Sequence, residues 1–305
     1  MKFLIAGTGG VGGSIGGFLA LAGEDVICIA RGENLKAIRE KGLHLKSDLK
    51  GDHFIPVKAC TAEDYSDKAD VIIVSVKQYS LNSMKNLFEK ATHPGTLILP
   101  ILNVYNTSGR IKKLVPHANV LDGCIYIVGF VSGAGEITQM GKVFKLIFGS
   151  FPEDNIDQKR LEDIAEVLRN AGIKVIVSDD IRRDTFMKWS FISAMACTGA
   201  YYDTIMEPIQ HPGPERDTYS GLASESAEIG RKLGIKFTTD VLAAHLRVMD
   251  ALDPQSTASM QKDIARGHQS EIQGLLFDII DLGKELDIPT PTYDKVAAKL
   301  STLVH

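Results

Sequence analysis

Several groups of residues in this chain could do chemistry, and the first lies at the N-terminus. Gly7-Thr8-Gly9-Gly10-Val11-Gly12 has the spacing G-x-G-x-x-G. In that spacing the glycines allow a tight turn, close backbone approach to a pyrophosphate and close packing of a helix on a strand. Free N–H groups at the start of the following helix would then hold phosphate oxygens. Arg31 follows the next apolar run, at the position where a dinucleotide fold reads the adenosine ribose. A cation there suits the 2′-phosphate of NADP, whereas an acidic residue suits the free 2′-OH of NAD, and Glu33 keeps the second option open. Lys77 and Asn103 each follow an apolar run, at the carboxyl end of a strand, where ligands lie in open α/β sheets; ordinary loop polarity is the alternative. Lys188 is embedded in Phe186-Met187-Lys188-Trp189-Ser190-Phe191-Ile192, so it either snorkels to the surface or sits in a cleft with a tuned pKa. Ser259 and Asp263 share a helix face at i, i+4. Glu271 is about 18 Å further along a straight helix than Ser259. One small ligand could touch both only if the chain bends, and Gly267 is the residue that would allow it; otherwise these are solvated helix residues.

The elements that must hold these residues follow from apolar periodicity. Phe3–Ala6 and Asp25–Ala30 flank the glycine turn and an apolar helix at the distance of a βαβ unit. A secretory signal peptide, with Lys2 before an apolar segment and Ala20-Leu21-Ala22 as a cleavage site, is the rival, but such segments are not normally so glycine-dense. Leu43–Lys46 and Phe54–Val57 predict a hairpin or a short αβ excursion. Asp70–Val76 and Thr96–Pro100 are nearly continuous apolar runs, as suits a sheet covered on both faces. Val120–Val131, Glu136–Met140 and Val143–Phe148 predict antiparallel strands completing that sheet. Leu161–Asn170 is an amphipathic helix ended by Ala171-Gly172, and Ile173–Val177 is the last strand.

Beyond Ser178 the pattern is helix and turn only. The fold class is therefore α/β, with an N-terminal Rossmann-type dinucleotide-binding domain over 1–178 and an all-α C-terminal domain over 179–305. Helices are expected from Ser178-Asp179-Asp180 through Lys188 to about Thr198, from Glu215 to Leu233, and from an N-cap at Thr238–Asp240 to Met249. A long one is expected over Ser259–Leu286 and a last one over Tyr293–Val304.

At 305 residues the chain is long enough for two cores, and with 44% hydrophobic residues, 24% charged residues and a net charge of -4 it has the composition of a globular protein. The near-neutral balance argues against a nucleic-acid-binding surface. Cys28, Cys60, Cys124 and Cys197 are widely spaced and read as buried thiols in a reducing compartment, and the eight histidines lack metal-ligand spacing. No uninterrupted apolar run reaches the roughly 18 residues of a membrane span. The expected location is the cytoplasm.

In this order and over nearly the full length, these motifs resemble the ketopantoate reductase (2-dehydropantoate 2-reductase) family. The resemblance rests on the glycine turn, Ala30-Arg31-Gly32, Val76-Lys77, Leu102-Asn103, Lys188, Ser259-Met260-x-x-Asp263, Gly267 and Ser270-Glu271-Ile272. It implies reduction of a 2-keto acid to a 2-hydroxy acid with NADP(H), with 2-dehydropantoate to pantoate, in pantothenate and coenzyme A biosynthesis, the leading reaction. It also implies roles. Lys188 would hydrogen-bond the carbonyl and act as general acid, Glu271 would bind the reacting hydroxyl end, and Ser259 the carboxylate. Asn103 would position substrate and nicotinamide, and Lys77 would lie close to the cofactor, in a site in the cleft between the domains. Where the family carries asparagines four and eight residues after the lysine, this chain has Ile192 and Ala196, and Val104 stands where glycine is common. The substrate-binding wall thus loses amide donors, which keeps a different 2-keto acid open, as it does an NADP-binding regulatory protein without turnover. Apolar helix faces in the second domain are compatible with a homodimer.

Overall fold

The computed structural model describes residues 1–302. The end of the helix expected over Tyr293–Val304, and with it the end of the 179–305 domain, lies outside the described residues. The chain forms two compact units, one of Met1–Leu102 with Asn106–Ile181, the other of Asn103–Tyr105 with the residues from Arg182 onward.

In the first unit the chain runs β1 (Lys2–Ala6), α1 (Gly10–Leu21), β2 (Asp25–Ile29), α2 (Gly32–Lys41), β3 (Leu43–Ser47), β4 (Gly51–Ile55), β5 (Lys58–Cys60) and β6 (Val71–Val74). It continues through α3 (Lys85–Ala91), β7 (Leu97–Pro100), α4 (Thr107–Leu114), β8 (Asn119–Val120), β9 (Asp122–Gly133), β10 (Glu136–Gly149), α5 (Gln158–Asn170) and β11 (Lys174–Val177). Six parallel strands make one sheet in the order β5-β2-β1-β6-β7-β8. That is the doubly wound order of a dinucleotide fold, with β1 and β6 at the centre. Its central strands are β-branched or leucine-rich and buried along their length. Ala6 pairs with both Ile29 and Val74, so the chain leaves three neighbouring strands at one edge, and Gly7, Arg31 and Lys77 all lie just past that edge.

The strands after β8 do not complete this sheet, as the periodicity suggested, but build a second one. The run expected over Val120–Val131 divides between β8, in the first sheet, and β9, in the second. Glu136–Met140 and Val143–Phe148 are one strand, β10, with a register shift between Met140 and Phe144. β10 pairs antiparallel with β9; its other side pairs in parallel with β3 over its first half and with β11 over its second. The β3–β4 hairpin, which pairs Leu43 with Ile55 in line with the expected hairpin, is thus an insertion in the β2-to-β5 crossover that supplies the second sheet, and β5 lies at Lys58–Cys60.

Helix α1 lies between the two sheets, and its glycines make that possible. A Cβ on Gly12 would collide with Gly7 O and Ser75 Oγ, and one on Gly16 would stand 3.2 Å from Ile5 Cγ1, on the face toward β1. On another face, a Cβ on Gly10 would collide with Gly129 O and one on Gly13 would lie 2.6 Å from Ile137 Cγ1. The two stripes are why a helix so rich in a poor helix former persists here: packing on both sides outweighs propensity. The core around it includes Phe3, Ile5, Phe18, Leu99 and Phe148, with Phe18 edge-on to Phe144 at 4.7 Å.

The second unit contains α6 (Ile181–Tyr202), α7 (Glu207–Gln210), α8 (Pro214–Lys232), α9 (Val241–Asp250), α10 (Ser259–Ala265), a π-helical segment Gln273–Phe277 running into α11 (Asp278–Leu286), and α12 (Pro291–Leu300). Asp240 caps α9 through a bond from Ala243 N at 2.7 Å. The Glu225 carboxylate caps α12, accepting from Thr292 N at 2.7 Å and Tyr293 N at 3.1 Å. The long helix expected over Ser259–Leu286 is broken. Gly267 adopts φ 66°, and Gly267 N and His268 N bond back to Ile264 O and Asp263 O, both at 2.9 Å. A glycine closing a helix this way is the left-handed C-terminal motif that only glycine adopts without strain. The chain therefore breaks at Gly267, between Ser259 and Glu271.

Candidate active site

The glycine turn is built from its neighbours. Gly7 leaves β1 with φ 110°, and its carbonyl accepts from Ser75 Oγ at 2.7 Å, just past β6. Thr8 turns inward, donating from both N and Oγ1 to Ile29 O at 3.0 and 2.9 Å, which pins the turn to the end of β2. Gly9 caps α1 in extended backbone without a side-chain acceptor, and the first turn of α1 carries no acidic residue. A Cβ on Gly9 would meet nothing within 4 Å. The first N–H groups of a twelve-residue helix thus carry the positive end of its dipole with no side-chain cap. These residues fit a dinucleotide diphosphate. Val11 is half-buried in the same turn.

Arg31 is exposed at the N-cap of α2, without a side-chain hydrogen bond or ion pair among the described residues. Lys77 is half-buried, two residues beyond Ser75. Sequence reasoning missed Ser75 and Gly129. Gly129 lies in β9 where that strand crosses the start of α1, and a Cβ on it would stand 2.9 Å from Gly10 O. A glycine inside a strand pattern is the signal that could have marked such a close approach.

In the second unit, Lys188 is 7% exposed on α6, so it does not snorkel. Its Nζ donates to Asn103 Oδ1 at 3.0 Å, which gives a desolvated ammonium an acceptor. The structure therefore brings together Lys188 and Asn103, which lie 85 residues apart in the chain. Tyr105, two residues after Asn103, stacks on Trp189 at 4.9 Å and 23°.

Glu271 is 5% exposed and lies two residues before the start of the π-helical segment, its carbonyl accepting from Leu275 N at 3.0 Å. That segment is held by α6: Trp189 Nε1 donates to Gly274 O at 2.8 Å, and Ser193 Oγ and Cys197 Sγ reach Leu275 O. A π turn disturbs the i→i−4 ladder, and side chains at i, i+4 and i+8 of the neighbouring helix take up its carbonyls. Ile192 is half-buried and Ala196 is fully buried in the helical core, where it presents no surface to a ligand. Ser259 is exposed as the first residue of α10 and makes no side-chain hydrogen bond among the described residues. His245, on α9, is buried, its Nε2 3.2 Å from Met187 O. Burial pushes its imidazole down from 6.5 to about 4, against the opposing pull of the Met187 carbonyl.

Among the described residues, no group of three or more His, Cys, Asp or Glu could hold a metal, and no helix is long and apolar enough to cross a membrane. The family model for ketopantoate reductase PanE/ApbA matches residues 3–153, and that for its C-terminal part matches residues 180–303. An uncharacterized oxidoreductase, YkpB, of Bacillus subtilis is 27% identical over 98% of this chain and 98% of its own. A 2-dehydropantoate 2-reductase of Mesorhizobium japonicum is 27% identical over 99% and 98%. The solved ternary structure of a D-mandelate dehydrogenase with NADH and anilino(oxo)acetate has the same fold, with a TM-score of 0.90 at 22% identity over the full length of both chains. With both parts matched, and with a glycine turn suited to a nicotinamide dinucleotide, the chain belongs to the ketopantoate reductase family of oxidoreductases.

Proposed function

We propose that the protein reduces a 2-keto acid to the 2-hydroxy acid with NADPH, and that 2-dehydropantoate to pantoate, a step toward pantothenate and coenzyme A, is its leading reaction. The observation that carries this is the buried Lys188 ammonium bonded to Asn103 Oδ1. NADPH, when bound, supplies the hydride. As the keto carbon accepts it, negative charge builds on the carbonyl oxygen. Lys188 stabilises that charge and donates the proton that completes the hydroxyl, then regains one from solvent. Asn103 accepts from one of the three ammonium N–H groups, and also positions the substrate. Glu271 accepts from the hydroxyl end, and Ser259 holds the carboxylate. Gly7 to Gly12 hold the diphosphate, Arg31 the 2′-phosphate, and Lys77 lies close to the nicotinamide half. Residues 1–178 would then be the NADP-binding domain and 179–305 the substrate domain. The proposal extends to a cytoplasmic location, which four free cysteines support, and to a homodimer.

A second reading, reduction of a different 2-keto acid, is favoured by the half-buried Ile192, which offers no amide to a polar substrate. The fold also serves a D-mandelate dehydrogenase. NADPH oxidation against a panel of 2-keto acids decides between the two. Lys188→Ala should lower kcat about 10²- to 10⁴-fold while leaving the KM for NADPH in place; unchanged turnover would overturn the assignment of the acid. Binding of NADPH without oxidation by any 2-keto acid would indicate a regulatory protein instead.

A further inference from the structure

Asn103 belongs neither to β7, which ends at Pro100, nor to α4, which begins at Thr107 behind Asn106 in the left-handed conformation. Its Oδ1 must nevertheless stay at one Nζ atom of α6. Beside it, Tyr105 lays its ring on Trp189, with centroids 4.9 Å apart and planes 23° apart, and meets Phe186 edge-on at 5.5 Å and 84°. Those partners flank Lys188 on α6, two residues before it and one after. They also meet each other edge-on at 5.5 Å. Trp189 is fixed at its far side by the bond from Nε1 to Gly274 O, in the π segment that follows Glu271. The aromatic cluster is therefore anchored on the π segment, and the ring of Tyr105 attaches the turn carrying Asn103 to it.

We infer that Tyr105 is a positioning residue for the Lys188–Asn103 pair, acting through its stack on Trp189. The inference rests on the reduction proposed above. Tyr105 touches neither substrate nor cofactor in this scheme; it keeps the Asn103 amide at the ammonium, where a small displacement of a reacting group is costly. The ring does this, through its stack on Trp189 and its edge contact with Phe186.

The test is steady-state NADPH oxidation with the best 2-keto acid of the panel, for wild type, Lys188→Ala, Tyr105→Ala, Tyr105→Phe, Asn103→Ala and the double variant Tyr105→Ala with Asn103→Ala. Tyr105→Ala should lower kcat roughly 10- to 100-fold with the KM for NADPH unchanged, and Tyr105→Phe should restore wild-type kcat. In the Asn103→Ala background the Tyr105→Ala loss should vanish, because the two act as one unit; an independent structural role would be additive. Additive losses, equal losses for Phe and Ala, or full activity of Tyr105→Ala beside a crippled Lys188→Ala would each overturn this inference and leave the proposed function standing. A Lys188→Ala enzyme as fast as wild type overturns the proposed function, and this inference with it. Should Tyr105→Ala fail to fold, Tyr105→Leu replaces it, filling the space without a stacking ring: the same kcat loss supports the inference and wild-type kcat overturns it.

Discussion

At the residue scale, the side chains that matter differ in how visible they are before folding. A lysine among Phe186, Met187 and Trp189 carries two meanings in sequence, because its four-carbon stem lets the charge escape an apolar face. What resolves it is Asn103, 85 residues away, and no local pattern announces that pairing. The place of Arg31 after the second strand is fixed by the fold, and the role proposed for it gives a specific prediction. Arg31→Ala should reduce the preference for NADPH over NADH roughly 10- to 100-fold, the worth of a hydrogen bond to a charged group, as read from the ratio of kcat/KM for the two cofactors. His245 was not singled out in sequence at all, since one histidine in an amphipathic helix gives no hint of being sealed beneath α6. Its depressed pKa means that the folded protein binds fewer protons there than the unfolded chain. The stability it contributes is fully present above pH 6.5 and is lost as pH falls toward 4, amounting to about 3 kcal/mol. Denaturant unfolding between pH 7 and 4.5 should show a shallower loss for His245→Asn than for wild type.

At the element scale, α1 was legible as a helix and its glycines as a motif, but not its second set of contacts. Gly12 and Gly9 separate the two duties of the turn. Gly12→Ala drives a methyl into Gly7 O and Ser75 Oγ, and should cost roughly 1–3 kcal/mol, as overpacking does, measured as a drop in thermal midpoint. Gly9→Ala has open space around the new methyl and an ordinary φ of -89°. It should leave the thermal midpoint nearly unchanged and raise the KM for NADPH, because only a diphosphate approaching the backbone would meet that methyl. The break at Gly267 was inferred as a requirement and is present as geometry, whereas the π segment after Glu271 left no trace in the pattern. A π turn differs from an α turn by one inserted residue, and apolar periodicity over five residues does not register it.

At the scale of the whole molecule, the βαβ sheet was legible because its strands follow each other in the chain. The second sheet was not. It joins a hairpin at residues 43–55 to strands at 122–177, and alternation within a strand says nothing about which sheet the strand joins. Each unit has its own buried core, and the cysteines are divided between them: Cys28 and Cys124 are buried in the first, Cys197 in the second. Burial pushes the thiols of Cys28 and Cys197 up to about 12, so labelling of either reports opening of its surroundings. Because the dinucleotide turn belongs to the first unit, NADPH at about 100 times its Kd should protect that unit by about 2.7 kcal/mol. Thiol labelling followed by peptide mass spectrometry should therefore show Cys28 and Cys124 slowed by up to roughly 100-fold.

Trp189 is the only tryptophan in the chain, and it is 2% exposed, stacked on Tyr105 and adjacent to Lys188. All indole emission from this protein therefore has one origin, beside the residue assigned the proton transfer. Its wavelength and lifetime give a label-free optical record of the second unit in which Lys188 sits. A change in the turn that carries Asn103 would reach the fluorophore through the Tyr105 ring stacked on it. The same ring that fastens that turn thus makes its movement visible to a spectrometer.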